Sequence, residues 1–181
     1  MLKGTAVTDP AADLFGEDMF GSNWYTNADR SNRYEGGVIG SDLNLYTTYY
    51  TRGLTFTTDG SVARYTGTSD AVIVPDLAGT QPVTAIGEGA FADCDVSSVL
   101  LPDGITSVGA RAFYNCVRLS SVNLTKGVTE LGEYAFAGAQ RLLSFGEFSP
   151  ASIPEGAFLG CGKLLEVPLP ETLTAIGAQA F

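Results

Sequence analysis

The chain has 181 residues, is 45% hydrophobic, carries a formal net charge of −10 and contains no histidine. That apolar share excludes a disordered chain, and the acidity disfavours nucleic acid and anionic membrane surfaces as partners. Without histidine, the usual base for a serine or cysteine nucleophile is missing, and no segment nears the ~20 apolar residues of a membrane-spanning helix.

Residues 1–52 are rich in aromatics and in Asp and Asn. Met1-Leu2-Lys3-Gly4 lacks the apolar core of a signal peptide. Phe20-Gly21-Ser22-Asn23-Trp24-Tyr25 precedes Tyr34-Glu35-Gly36-Gly37 and then Asp42-Leu43-Asn44-Leu45-Tyr46. This order of an aromatic step, a glycine-bearing turn and a closing Leu-Tyr strand resembles the later part of the Listeria–Bacteroides repeat, the internalin B-type repeat. The first strand of that repeat is missing, and Thr47-Thr48-Tyr49 replaces its closing Ala-x-Trp. The resemblance implies a small, partial β domain over 1–52. Asp9, Asp13, Glu17 and Asp18 could offer oxygens to calcium. Solvated carboxylates are the simpler reading, so no metal and no cofactor is expected.

Residues 53–82 change pattern. Leu54-Thr55-Phe56-Thr57 and Ser61-Val62-Ala63-Arg64-Tyr65 alternate around Asp59-Gly60, which predicts a hairpin. Ala71-Val72-Ile73-Val74 predicts another strand. A stacked repeat needs its first edge covered, so 53–82 is expected to be an N-terminal β cap.

Residues 83–181 repeat. Ala90-Phe91, Ala112-Phe113, Ala135-Phe136, Ala157-Phe158 and Ala180-Phe181 place phenylalanines at spacings of 22, 23, 22 and 23. A period in the twenties predicts a solenoid whose coils bury their apolar faces only by stacking. Val99/Leu101, Val122/Leu124 and Val167/Leu169 are i, i+2 pairs, each expected to face one side of a strand. Ile86-Gly87, Val108-Gly109, Leu131-Gly132 and Ile176-Gly177 predict a second extended step and a turn. The Ala-Phe stretch is expected to form one helical turn that buries its ring. Cys94, Cys116 and Cys161 share one repeat position with Ala139, which predicts small buried thiols rather than a disulfide. The repeating phrase apolar-Thr-x-Ile-Gly-x-x-Ala-Phe-x-x-Cys-x-x-Leu-x-x-Val-x-Leu-Pro resembles the BspA-like leucine-rich repeats of bacterial surface proteins. The fifth copy stops at Phe181, so both ends are read as fragment boundaries. The expected fold is therefore a β-rich leucine-rich-repeat solenoid with short helical turns, behind a β cap and a small β domain.

No catalytic constellation appears, and no phosphate loop or EF-hand loop is present. The chain is expected to be no enzyme. Repeat geometry instead aligns equal positions into columns. Ser98, Leu100, Ser121, Asn123, Ser144 and Glu166 are expected to face outward on the strands. Arg118, Arg141 and Lys163 form an adjoining basic column, and Glu88, Glu133 and Glu155 an acidic one. The family resemblance implies a non-enzymatic recognition or adhesion module of a cell-surface or secreted bacterial protein. It implies a protein ligand such as a host or matrix protein, with no nucleic acid and no membrane insertion. A spacer or anchoring role in a larger surface protein is the alternative. Carbohydrate binding, a third reading, rests on the aromatics Trp24, Tyr25, Tyr46, Tyr49 and Tyr50 alone.

Overall fold

The structure, a computed structural model, describes residues 19–25 and 46–181. The acidic cluster from Asp9 to Asp18 and the Tyr34–Gly37 turn lie outside the described residues. The described residues form fifteen strands: β1 (Met19–Tyr25), β2 (Tyr46–Thr51), β3 (Leu54–Phe56), β4 (Ser61–Tyr65), β5 (Ala71–Ile73), β6 (Leu77–Ala78), β7 (Gln81–Pro82), β8 (Ala85–Ile86), β9 (Ser98–Leu100), β10 (Ser107–Val108), β11 (Ser121–Leu124), β12 (Glu130–Leu131), β13 (Ser144–Gly146), β14 (Ser152–Ile153) and β15 (Ala175–Ile176).

Two sheets, parallel apart from the β3–β4 pair, run through the inner coils. One has the order β12-β10-β8-β4-β3, the other β13-β11-β9-β5. Alternation sets their faces. Val72, Val99, Val122 and Phe145 point inward and are buried, while their neighbours Ser98, Leu100, Ser121 and Ser144 lie on the other side. The Asp59-Gly60 hairpin read from sequence is present, with β3 and β4 antiparallel. From there β4 runs parallel to β8, and β5 parallel to β9, so the chain enters the solenoid through both sheets. Upstream, β1 and β2 form an antiparallel pair. The fully buried Thr51 hydroxyl accepts from the Ile73 N–H of β5 at 2.8 Å.

The Ala-Phe stretch departs from expectation: it forms no helix. Its left-handed residues sit two before and two after each phenylalanine. They are Gly89 and Asp93, Arg111 and Asn115, Tyr134 and Gly138, Gly156 and Gly160. Left-handed φ at those points ends any helical run and turns alternate amides outward along the stack. The N–H of Phe91 reaches Ala112 O at 2.8 Å, Phe113 reaches Ala135 O at 2.7 Å, and Phe136 reaches Ala157 O at 2.8 Å. A third hydrogen-bonded ladder thus replaces the expected helical turns. Gly, Asn and Asp at most of these places are the sequence signal for it.

The rings stack inside. Phe91–Phe113, Phe113–Phe136, Phe136–Phe158 and Phe158–Phe181 have centroids 5.1, 5.0, 5.5 and 5.6 Å apart and are nearly parallel. Phe91, Phe113, Phe136 and Phe158 are at most 1% exposed. Tyr65 extends the column at 5.5 Å from Phe91 and donates its hydroxyl to Ser69 O.

The last coil differs. The expected strand around Val167/Leu169 is not formed, and Leu169 is 50% exposed. Pro168 has no N–H for a ladder. The extra Phe145–Ser149 turn puts Phe145 and Phe148 edge to face in the core, with Phe145 stacked 5.0 Å from Phe158, and Val167 still packs partly against that core. β14 and β15 then pair parallel in a small sheet of their own.

Candidate functional site

The outward side of β5, β9, β11 and β13 is a regular surface of four parallel strands. Parallel pairing sets its rows. Ser98 pairs with Ser121, and Ser121 with Ser144. Three serines therefore form one row across the sheet, with spacing near 4.8 Å per strand. The next row holds Leu100, 52% exposed, then Asn123; at β13 a register shift pairs Gly146 with Leu124 instead.

Asn123 is not free in that row. Its Oδ1 accepts from the Leu101 N–H at 2.6 Å, and its Nδ2 donates to Leu101 O at 3.0 Å. The side chain thus serves as a backbone partner for the preceding coil. Small outward groups leave the serine row flat and give up little rotamer entropy on contact.

Glu166 is exposed but lies off the strand rows, because its segment does not pair. It meets Ser144 only across a groove bounded by Leu143, Ser144, Phe145, Gly146, Glu166, Val167 and Pro168, about 610 Å³ in volume.

The basic column is uneven. Arg118 binds Asp95 of the preceding coil at 2.9 Å and lies 3.9 Å from Asp70, one coil further back. Its charge is largely answered in place. Arg141 and Lys163 are exposed, and among the described residues neither forms an ion pair. The acidic column is exposed at Glu88, Glu133 and Glu155. Glu155 accepts the Tyr134 hydroxyl, and Arg111 lies over the Tyr134 ring at 5.9 Å. That ring in turn rests on Gly156, where an added Cβ would sit 2.3 Å from it.

The thiols are free. Cys116 is buried, whereas Cys94 and Cys161 are half-buried, so full burial holds for one of the three. Each thiol donates to a carbonyl of the preceding coil: Cys116 to Phe91 O at 2.9 Å, Cys161 to Phe136 O at 3.2 Å, Cys94 to Tyr65 O at 3.7 Å. Burial pushes Cys116 up to about 12 and Cys161 up to about 11, and raises Cys94 as well. Among the described residues, no group of three or more His, Cys, Asp or Glu could hold a metal ion.

The family model for the BspA type leucine-rich repeat region matches residues 76–181 in six copies. A leucine-rich cell surface protein from Faecalibacterium prausnitzii superposes with a TM-score of 0.53 at 27% identity, covering 73% of this chain and 44% of that protein. A leucine-rich repeat protein from Eubacterium ventriosum gives a TM-score of 0.53 at 17% identity, covering 71% and 37%. At that second identity the likeness is one of fold. The chain spans less than half the length of either protein. No curated protein matches it.

Proposed function

We propose a non-enzymatic protein-recognition role for this chain, which belongs to the BspA-type leucine-rich repeat family through residues 76–181. The carrying observation is the continuous row Ser98–Ser121–Ser144 on a four-stranded parallel sheet. A rigid, flat, nearly uncharged face suits contact with another protein's surface and offers no enclosed pocket for chemistry. Leu100 adds an apolar contact beside that row, and Arg141 and Lys163 can favour an acidic partner across short distances. Residues 53–82 act as the cap of this module, and 1–52 as a separate small domain before it. The likeness to a cell surface protein supports a surface or secreted setting. Host or matrix proteins are the ligand class proposed here. Weak contact per module would be raised by repetition in a longer protein.

The test is binding to immobilised matrix proteins by Ser98→Arg, Ser121→Arg and the double variant. Bound partner should fall at least tenfold in the double variant with an unchanged circular dichroism spectrum. Asn123 is left intact because its amide holds Leu101. Undiminished capture by the double variant would leave the spacer role as the better account.

A further inference from the structure

The sheet of β5, β9, β11 and β13 ends at β13, which pairs with β11 on one side only. Its other edge faces the 610 Å³ groove. Across the groove lies Glu166-Val167-Pro168, the chain's own fourth-coil segment, in no strand. In each inner coil the residue before the strand serine is hydrogen-bonded along the stack: Ser120 N–H to Ser97 O at 2.8 Å, Leu143 N–H to Ser120 O at 3.0 Å. The series stops there. Among the described residues no donor reaches Leu143 O. Leu143 itself is 60% exposed and Leu165 is 91% exposed beside this end of the sheet.

We propose that the β13 edge is a docking site for an extended segment of a partner protein, taken up as a fifth parallel strand. An unpaired strand edge offers a row of backbone donors and acceptors whose natural complement is another extended backbone. The sheet supplies the template for the occupant, because the same interface is already made three times, β5 to β9, β9 to β11 and β11 to β13. Each strand presents a small residue outward and a Val or Phe inward, as in Ser98-Val99, Ser121-Val122 and Ser144-Phe145. A fitting segment is therefore proline-free, with a small residue followed by a β-branched or aromatic one. Its inward side chains would lie against Phe145 and Val167, and its outward ones beside Leu143. The chain's own segment keeps the inward Val167 but carries Glu166 at the small place and Pro168 after it, where the missing N–H keeps it from closing the edge.

This edge is distinct from the serine-lined face. Strand addition can fail while the face still binds protein, and the reverse, so the two readings are tested apart.

The probe is a fluorescent peptide copying residues 119–125, Leu-Ser-Ser-Val-Asn-Leu-Thr, titrated into the full chain. Its control is the same peptide with Val122→Pro. The expected result is saturable binding of the first and at least tenfold weaker binding of the second, with slowed amide exchange at 144–146. The second arm is Pro168→Val in the protein. Restoring an N–H should let 166–169 pair with β13, so peptide binding should drop at least tenfold and the melting temperature should rise. Peptide binding unchanged by Pro168→Val overturns the proposal. So does amide protection at 166–169 in the free wild-type protein equal to that at 121–124, which would mean the chain closes its own edge. Concentration-dependent dimers that the peptide does not dissociate would assign the edge to a second copy, and overturn it too.

Discussion

The inner coils, from Ala85 to Gly146, and the last coil, from Ser152 to Phe181, carry the same repeat but not the same structure. In the inner coils three columns advance together: the Ile-Gly strands, the Ala-Phe turns and the Ser-Val strands. In the last coil the first two continue, through β15 and the Phe158–Phe181 stack, and the third is lost. The columns are thus separable. An aromatic column needs only a ring at a fixed spacing, while a strand column also needs its backbone N–H groups. Pro168 denies one of them to the last coil. Substitutions at equal repeat positions in the two regions can break or sharpen this contrast.

The largest contrast concerns the rings. Phe136 is fully buried between Phe113 and Phe158, whereas Phe181 is 52% exposed with one stacked neighbour. Phe136→Ala should cost about 3–5 kcal/mol through the cavity it leaves. Phe181→Ala should cost well under half of that. Chemical denaturation of both variants checks it. Equal losses would mean that the last coil is packed as tightly as the inner ones.

Glycines come next. An added Cβ at Gly132 would lie 2.2 Å from the Ala110 N of the preceding coil, a backbone atom that cannot step aside. At Gly162 a Cβ would meet nothing within 4 Å. Gly132→Ala should therefore cost about 1–3 kcal/mol, in the range of other overpacked sites. Gly162→Ala should be close to neutral, as its equivalents Asp95, Val117 and Gln140 already suggest. Thermal melts of the pair decide the point.

Much of this was legible from spacing alone. The phenylalanine period fixed the buried ring column, and Asp59-Gly60 marked the entry hairpin. The turn was misread as helical because Ala-Phe looks helix-compatible locally. The governing signal lay two residues either side of the ring, at Gly89, Asp93, Asn115 and Gly138, where left-handed backbone is easiest. Arg111 and Tyr134 take the same conformation without that signal. For the candidate face, the serine row followed from alternation. The engagement of Asn123 with Leu101, and of Arg118 with Asp95, depends on contacts between residues 22 and 23 positions apart. Glu166 was assigned to the face by a pattern that Pro168 interrupts.

Thiol chemistry gives a smaller contrast. Cys116 is held at about 12 and Cys161 at about 11, both mainly by burial. Cys161 is half-buried while Cys116 is fully buried, so an alkylating reagent should reach Cys161 first and label it faster in the native protein. Mass spectrometry of alkylated native protein measures the ratio. The sign of the pH effect on stability follows from the same shifts. Above the ordinary thiol value of about 9 the unfolded thiols lose protons that the folded ones keep. Stability should then fall as pH rises from about 9 to about 12, and Cys116→Ala should flatten that fall.

The smallest contrast lies in the basic column. Arg118 and Lys163 occupy equal places, two residues after the cysteine. Arg118 reaches back to Asp95 and Asp70, so it ties together the ends of three coils. Its side chain is 45% exposed and that of Asp95 72% exposed, so water screens much of the attraction. Exposed pairs contribute about 0.2–1 kcal/mol and weaken with salt. Arg118→Ala should lower stability by no more than that, and the difference should shrink at high ionic strength. Lys163→Ala should leave stability unchanged, since Lys163 has no such partner among the described residues. For binding the order reverses. Lys163, with its charge unanswered, is the better candidate to draw in an acidic protein, so its loss should slow association while the loss of Arg118 should not. Melting curves at two salt concentrations, set beside association rates for the two variants, separate a charge that holds coils together from one that is open to a partner.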